Sequence, residues 1–374
     1  MTPRSVARRV VRPLADAAMR SVVAARTRDW APASRLFVVG DGSGWSIDDD
    51  AGQISAVARR VGFEVAPAAW ARHARRQAVF LPSHFSALRP RWLESSHRLG
   101  LAYFHGRPGT DGHPEFDEVL ETLRKNASRV DRVQVTHAEM HELTVAAGVD
   151  EEHVFRIPLG IDIERFPLVT DERRRDARRA LGLPDDAFVV GSFQKDGVGW
   201  GDGLEPKPVK GPDVLVDALA RIKERAPDLV VLLTGPARGF VRAELDARGI
   251  RYRHARIDAR AGLAEAYHAL DVHLVPSRQE GGPKSALESL AAGVPLVSTR
   301  VGQVPEIVED GRSGLLADVE DAEALTELAL RVRDDAGLVL SLREAGRATA
   351  EAYTYETLDS RWSELLDGFV EQAD

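Results

Sequence analysis

Cysteine is absent from the chain, and that single gap removes disulfide frameworks, a thiolate nucleophile and cysteine-ligated metal sites. No apolar run approaches the roughly 18 to 20 residues that span a bilayer, and the N-terminus has no signal-peptide core. Together these absences point to a cytoplasmic protein. An excess of positive charge is missing as well: 50 Lys and Arg stand against 58 Asp and Glu, a formal net charge of -8, so nucleic acid is not an expected partner. There is no clear internal repeat or low-complexity tract. No G-x-S-x-G elbow supports a serine-hydrolase triad. No His and carboxylate cluster has ligand spacing either. The acids at 48 to 50 (DDD) invite comparison with a metal-binding Asp-x-Asp pair, but they stand just before a helical pattern and suit its N-cap and first turn better. No essential metal is expected.

What the chain does contain is the profile of a soluble globular protein, 44% hydrophobic and 29% charged, at a length that favours two domains. Strand and helix signals alternate after residue 33, the pattern of parallel sheets covered by helices. RLFVVGD, QAVFLPS, LGLAYFHG, VDRVQVTH and HVFRIPLG read as strands, with AGQISAVARRVG and PEFDEVLETLRKNAS as helices among them. After the linker GIDIERFPLVTDE a second series begins: AFVVGSF, DLVVLLTGP, IRYRHARI, DVHLVPS and VPLVSTR are strand-like, separated by the helix-like GPDVLVDALARIKERA, AGLAEAYHAL and SALESLAAG. The economical architecture is two α/β domains facing a cleft, since ligands bind where strand C-termini meet a crevice. We divide the chain into a basic N-terminal segment (1–32), a first domain (33–165) completed by 355–374, and a second domain (166–354). In the N-terminal segment, seven arginines accompany a stripe of Val6, Val10, Val11, Leu14, Ala18 and Val22, broken at Pro13. Such a stretch is either a solvated leader or a peripheral contact for an anionic membrane surface.

The chemistry concentrates in EGGPKSALES, residues 280 to 289. Following a strand and entering a helix near Ser285, with Pro283 suited to the first turn, it offers helix N-terminal amides to an anion, and Lys284 adds a positive charge. Glu280 and Glu288 cannot both want a phosphate, but carboxylates accept bidentate hydrogen bonds from sugar diols. A nucleotide-sugar meets both demands, with its diphosphate on the N–H groups of the helix start and its hydroxyls on the acids, which makes Gly282, Pro283, Lys284, Ser285, Ala286 and Leu287 the expected donor-binding residues of this segment.

Glu280, seven residues and Glu288 form a pattern that resembles the E-x7-E region of family 4 of the retaining glycosyltransferases. IPLGIDIERF is similar to that family's I-P-N-G-V-D-x-x-R-F segment, and KGPDVLVDAL to its K-G-x-x-x-L-L-x-A-x segment. The resemblance implies the GT-B fold, two Rossmann-like domains with parallel sheets facing a central cleft. It also implies a metal-independent, retaining transfer of a hexose-type unit from a UDP- or GDP-sugar to an unidentified hydroxyl acceptor, in polysaccharide, glycolipid or glycoconjugate biosynthesis. The nucleotide-sugar is a substrate, so no cofactor is expected. By the same resemblance, Glu280 contacts the donor sugar and Glu288 the ribose. An Arg and a Lys of the family face the diphosphate; Lys195 stands at the Arg position and Lys210 at the Lys position, with Lys207 an alternative for the first role. Lysine is a departure there, because it lacks the planar fork of arginine, and residues 197–203 lengthen the loop with glycines.

His105, before Gly106, matches a histidine near the reacting centre, and His84 a second one after the preceding strand. GDGSGW at 40–45 is no dinucleotide fingerprint, since Trp45 replaces its third glycine; Gly42 and Gly44 match a glycine turn that approaches the diphosphate, and Trp45 is either a packing aromatic or a stacking surface for the acceptor. Two other functions stay open at this point: a UDP-sugar epimerase of the same fold, and a non-catalytic sugar-nucleotide-binding protein.

Overall fold

The computed structural model describes residues 16–44, 46–257 and 261–372. The chain divides into two compact units, one ending at Ile157 and rejoined from Leu358, the other formed by Pro158–Thr357.

In the first unit β1 (Leu36–Val38), β2 (Ala78–Leu81), β3 (Arg98–Ala102), β4 (Arg132–Val135) and β5 (Val154–Arg156) form a parallel sheet in that order. Val65 adds a bridge on the far side of β1, with Leu36 N donating to Glu64 O and Ala66 N to Leu36 O. The chain therefore leaves β1 in one direction and returns to its other side as β2, which makes the β1/β2 border a topological switch point. Phe37, Val79, Leu99, Leu101 and Val133 line one face against Leu120 and Leu123 of the helix Pro114–Lys125. The opposite face receives the C-terminal segment. A Cβ at Gly100 would come within 2.7 Å of the Phe80 ring and 2.9 Å of Phe369, so glycine lets that segment lie directly on the strand. Trp362, on the helix Asp359–Leu366, meets Phe80 edge-on at 5.6 Å. Arg60, closing the helix Ser46–Arg60, grips Asp359 through Nε (2.6 Å) and Nη2 (2.5 Å), a two-pronged pairing that fixes the approach.

In the second unit six strands are all parallel: β6 (Phe188–Phe193), β7 (Leu229–Thr234), β8 (Tyr252–Ala255), β9 (Val272–Val275), β10 (Leu296–Thr299) and β11 (Leu315–Ala317), in the order β11-β10-β9-β6-β7-β8. Val189 on one face packs with Leu287 and Leu290 of the helix Lys284–Ala292. Val190 on the other packs with Leu215 and Leu219 of the helix Pro212–Arg225. Continuous apolar runs such as LVVLLT suit strands buried on both sides. The segment IPLGIDIERF belongs to this unit from Pro158 onward: Leu159 N donates to Gln303 Oε1 (2.7 Å), and Ile161 bridges Thr354.

Every strand expected from the sequence is present, and β11 is an addition, three residues at a sheet edge and too short to show a period. The helix Asp171–Leu181 is another, since its run of arginines hides an apolar face reduced to Ala177 and the stem of Arg178. In the basic N-terminal segment the expected stripe needs correction where it can be followed. Residues 16–26 are helical, but Val22 is exposed and it is Val23 that is fully buried in the core; Ala18 is exposed too. Trp30 stacks on Trp70 at 6.1 Å. Val6, Val10, Val11, Pro13 and Leu14, like Trp45, lie outside the described residues. No described helix is long and apolar enough to cross a membrane.

Candidate functional site

In the second unit the strand order reverses between β6 and β9: β7 and β8 extend from one side of β6, and β10 and β11 from the far side of β9. A crevice at strand C-termini forms at such a border. The residues that leave those two strand ends are Gln194 to Asp196 after β6 and Ser277 to Glu280 after β9.

They meet in a compact polar group. Glu280 Oε1 accepts from Lys210 Nζ at 2.5 Å and from Ser277 Oγ at 2.9 Å. The Glu280 side chain is 11% exposed and that of Lys210 is 23% exposed, so the pair is shielded yet reachable. Gln194 Nε2 donates to Lys210 O at 3.0 Å, tying the β6 end to the lysine segment. Gly211 explains the Lys-Gly spacing. Its φ is +60°, and a Cβ there would stand 2.1 Å from Pro276 O; only glycine allows the lysine segment to cross the end of β9 so closely.

Beyond Glu280, the turn is clamped from behind. Gln303 N donates to Gly281 O (3.0 Å), and a Cβ at Gly282 would lie 2.6 Å from Gln303 Oε1. The helix that follows runs Lys284–Ala292, with Pro283 at its N-cap and Gly293 in the left-handed C-terminal position. Lys284 and Ser285 are partly exposed at its start. Ala286 and Leu287 are buried core residues, and Ala286 N is bonded back to Pro283 O (2.9 Å), so that amide serves the helix itself. Glu288, one turn in, accepts from the Tyr267 hydroxyl at 2.8 Å through Oε2. Burial, then the charge of Glu288, pushes that phenol well above its ordinary range, so Tyr267 stays a donor and fixes the carboxylate.

Lys195 Nζ lies 4.8 Å from the ring centroid of Trp200. Its pKa is lowered, first by burial and then by the charge of Lys210, so both cations act on one region of space. The lysine must be charged to attract an anion. Because its folded-state pKa is depressed, that charge is lost at a lower pH than for an ordinary lysine, near 10.4. Turnover is therefore expected to fall on the alkaline side in an activity-against-pH profile, and Lys195→Arg is expected to move that limb upward. Lys207, the alternative cation, is partly exposed and bonds through its backbone to Asp196 O (2.7 Å).

Beneath these loops lies a buried ion pair. Arg238 Nε is 3.0 Å from Asp196 Oδ1, both side chains fully buried. Arg238 Nη1 also donates to Ser192 O (2.6 Å), Gln194 O (3.0 Å) and Thr234 O (3.0 Å). His273 on β9 is fully buried, with neither ring nitrogen hydrogen-bonded. Burial first and the Arg238 charge second pull its pKa down to about 3, so it is neutral and packs as a ring 5.3 Å from Phe193 and from Tyr267.

The first unit carries the other expected residues around its own switch point. Gly42 (φ +76°) and Gly44 (φ +73°) follow β1, but their amides are engaged: Gly42 N donates to Asp48 Oδ1 (2.9 Å) and Gly44 N to Asp48 Oδ2 (2.5 Å). The first acid of DDD thus reaches back from the first helical turn to close the glycine loop. Gly40 is required for this, since a Cβ there would sit 2.0 Å from Asp48 Oδ1. His84, after β2, is buried and stacks on Tyr103 (4.1 Å). Burial, then the charge of His105, holds its pKa well below the ordinary value, so it is neutral. His105, half-buried after β3, meets Phe116 edge-on at 5.7 Å and His84 at 5.7 Å. Gly106, at φ +123° and close against the Phe116 ring, turns the chain away.

Sequence reasoning missed Ser277, Gln194, Gln303, Tyr267 and the Asp196/Arg238 pair, all of which hold an expected residue or its loop. Each partnership is long in sequence except Ser277, three residues before Glu280 in a position that a search for charged side chains passes over. A separate groove of about 640 Å³ on the second unit is lined by Arg165, Pro167, Arg173, Ala177, Glu265 and His268 among others, away from Glu280 and the lysines. Among the described residues no group of three or more His, Asp and Glu side chains is gathered as a metal site.

Two domains of α/β architecture, each built on a parallel sheet, define the GT-B class. The fold is shared with Anabaena HepE, solved in complex with UDP and glucose (TM-score 0.71, 16% identity, covering 89% of this chain and 99% of that one), and with sucrose-phosphate synthase from Thermosynechococcus elongatus (TM-score 0.72, 20% identity, covering 89% and 98%). Residues 199–335 match the family model of the glycosyl transferases group 1, and the two-domain fold is that of GT-B glycosyltransferases. Curated relatives include the D-inositol 3-phosphate glycosyltransferases of Corynebacterium urealyticum (30% identical, 74% of this chain and 65% of that protein) and Actinosynnema mirum (33% identical, 63% and 58%). The chain thus matches less than two thirds of the length of these relatives.

Proposed function

We propose that the protein is a retaining glycosyltransferase that moves a hexose-type unit from a UDP-sugar to a hydroxyl of a sugar or cyclitol acceptor, without a divalent ion. The observation that carries this is Glu280 at the β6/β9 border, with Oε1 held by Lys210 and Ser277. Oε2 accepts no hydrogen bond from the described residues and is left to take one from a donor-sugar hydroxyl. Support for the UDP donor comes from the shared fold with a protein crystallised with UDP and glucose, and for a cyclitol acceptor from the relatives that act on inositol phosphate.

In this reading Lys210 and Lys195 offset the charge that grows on the diphosphate as the glycosidic bond breaks, with the start of the helix Lys284–Ala292 adding its dipole. Glu280 orients the sugar, and Glu288, set by Tyr267, takes the ribose hydroxyls. The acceptor oxygen bonds to the anomeric carbon on the face the diphosphate leaves, and its proton passes to the departing phosphate oxygen. Catalysis then rests on positioning and charge stabilisation. His105 is assigned to the donor sugar on its motif alone. The biosynthesis of a polysaccharide, glycolipid or glycoconjugate is the process such a transfer would serve.

A thermal-shift panel of UDP-, GDP- and ADP-sugars tests the donor. The right one, at about 100 times its dissociation constant, is expected to stabilise the fold by roughly 2.7 kcal/mol. Nucleotide release with and without inositol phosphate and simple sugars tests the reaction, in buffer containing EDTA. Slow release alone and fast release with acceptor is the expected result. Rapid epimer formation, or binding with no turnover, overturns it.

A further inference from the structure

We propose that Trp200 is a positioning residue for Lys195: its indole face holds the lysine ammonium in place for the donor diphosphate, so that a flexible lysine acts with the fixed direction that an arginine fork would have. The inference rests on the proposed transferase function. It starts from the ammonium, 4.8 Å from the ring centroid, a distance at which a cation is attracted to the indole face. Lysine carries a compact charge on a four-carbon stem with much rotamer freedom. Left alone beside Lys210, whose charge repels it, that stem would turn away from the place where both charges are useful.

The loop bearing Trp200 is built to resist this. Its base is closed by the Gly197/Pro206 bridge and by Val198 N to Glu205 O (2.9 Å). Gly239 N donates to Asp202 O (2.6 Å) and Phe240 N to Gly203 O (2.9 Å), which pins the far limb to the helix Gly239–Ala247. Gly197 and Gly203 permit that contact, because a Cβ on either would sit 2.4 Å from Ala237 O. Between these anchors Trp200 is 59% exposed, so it contributes little to any core and its exposure is repaid by its contact with Lys195. The same glycine-extended loop that follows the lysine at the family's arginine position thus supplies the partner that Lys195 needs.

The test is a set of variants, Trp200→Ala, Trp200→Phe, Lys195→Arg, Lys195→Ala and the Trp200→Ala combinations with each lysine variant. Turnover, donor KM, UDP affinity by calorimetry and melting temperature are measured for each. Trp200→Ala is expected to lower kcat/KM for the donor by about 3- to 10-fold, the range for a partly exposed cation–π contact, with an unchanged melting temperature. Trp200→Phe keeps most activity. In the Lys195→Ala background Trp200→Ala has no further effect, and in the Lys195→Arg background its effect is smaller, since coupled residues are not additive. An equal loss in the Lys195→Ala background, or no loss or a gain from Trp200→Ala alone, overturns the inference while leaving the transferase reading intact. If the wild type transfers no sugar yet binds UDP, that reading fails and the same variant pattern in UDP affinity decides the inference. A wild type that binds no UDP overturns both.

Discussion

Glu280→Gln is expected to lower kcat by about 10² to 10³-fold, and Lys210→Ala by a similar factor, in steady-state assays with the identified donor. Glutamine has nearly the same shape, so Ser277 and Lys210 still find an oxygen, but the ion pair with Lys210 Nζ becomes a hydrogen bond to a neutral acceptor and the negative charge that aligned the lysine is gone. Lys210 then points less sharply, and the donor sugar loses a strong acceptor at Oε2. Both side chains are mostly shielded but not deeply buried, so melting temperatures should stay near the wild-type value. Near-normal rates for both variants would remove the β6/β9 border as the reacting site.

Arg238→Ala is expected to cost about 3 to 5 kcal/mol of stability, because it leaves Asp196 charged and unpaired inside the unit. For a unit of this size that is a fall in melting temperature on the order of 10 °C. The loss has a pH signature. Burial already raises the Asp196 pKa, opposed by Arg238; without the arginine it rises further, so the folded variant takes up a proton that the unfolded chain releases. Stability contributed by a raised carboxyl is lost as pH increases, and the penalty is therefore expected to shrink from pH 7 toward pH 5 in thermal melts. Adding Asp196→Leu should restore part of the stability at pH 7, since an apolar pair replaces a stranded charge. Turnover should not return with it, because the carbonyls of Ser192 and Gln194 lose the donor that sets the start of the lysine-bearing loop. A flat pH response would show that Asp196 is not the group left unpaired.

How much of this was legible follows from which forces are local. Alternation of apolar runs with glycine turns announced the strands of both sheets, since a buried parallel strand must be apolar throughout. The GT-B fold was legible from motif order and is shared with the solved structures. The glutamates, lysines and glycines around Glu280 stood out because their spacing matches the E-x7-E and K-G motifs and places them beside a helix start able to meet an anion. Partners were a different matter. Arg238 lies 42 residues from Asp196 and Tyr267 21 residues from Glu288, and nothing in a single chain announces that such pairs will meet. The N-terminal stripe misled at its described end for a simpler reason. An apolar residue every third or fourth position marks a face, but when neighbouring positions are also apolar the face can rotate by one residue, and Val23 rather than Val22 went inward.

The glycine turn after β1 has a consequence for where a substrate's anionic part can be neutralised. A carboxylate from the same chain already saturates the amides of Gly42 and Gly44, so an arriving pyrophosphate would meet a like charge there and would have to evict it. The first unit is thereby self-sufficient in negative charge at this turn, and in the proposed transfer the counterbalancing of a departing nucleotide would fall to the lysines and the helix start of the second unit.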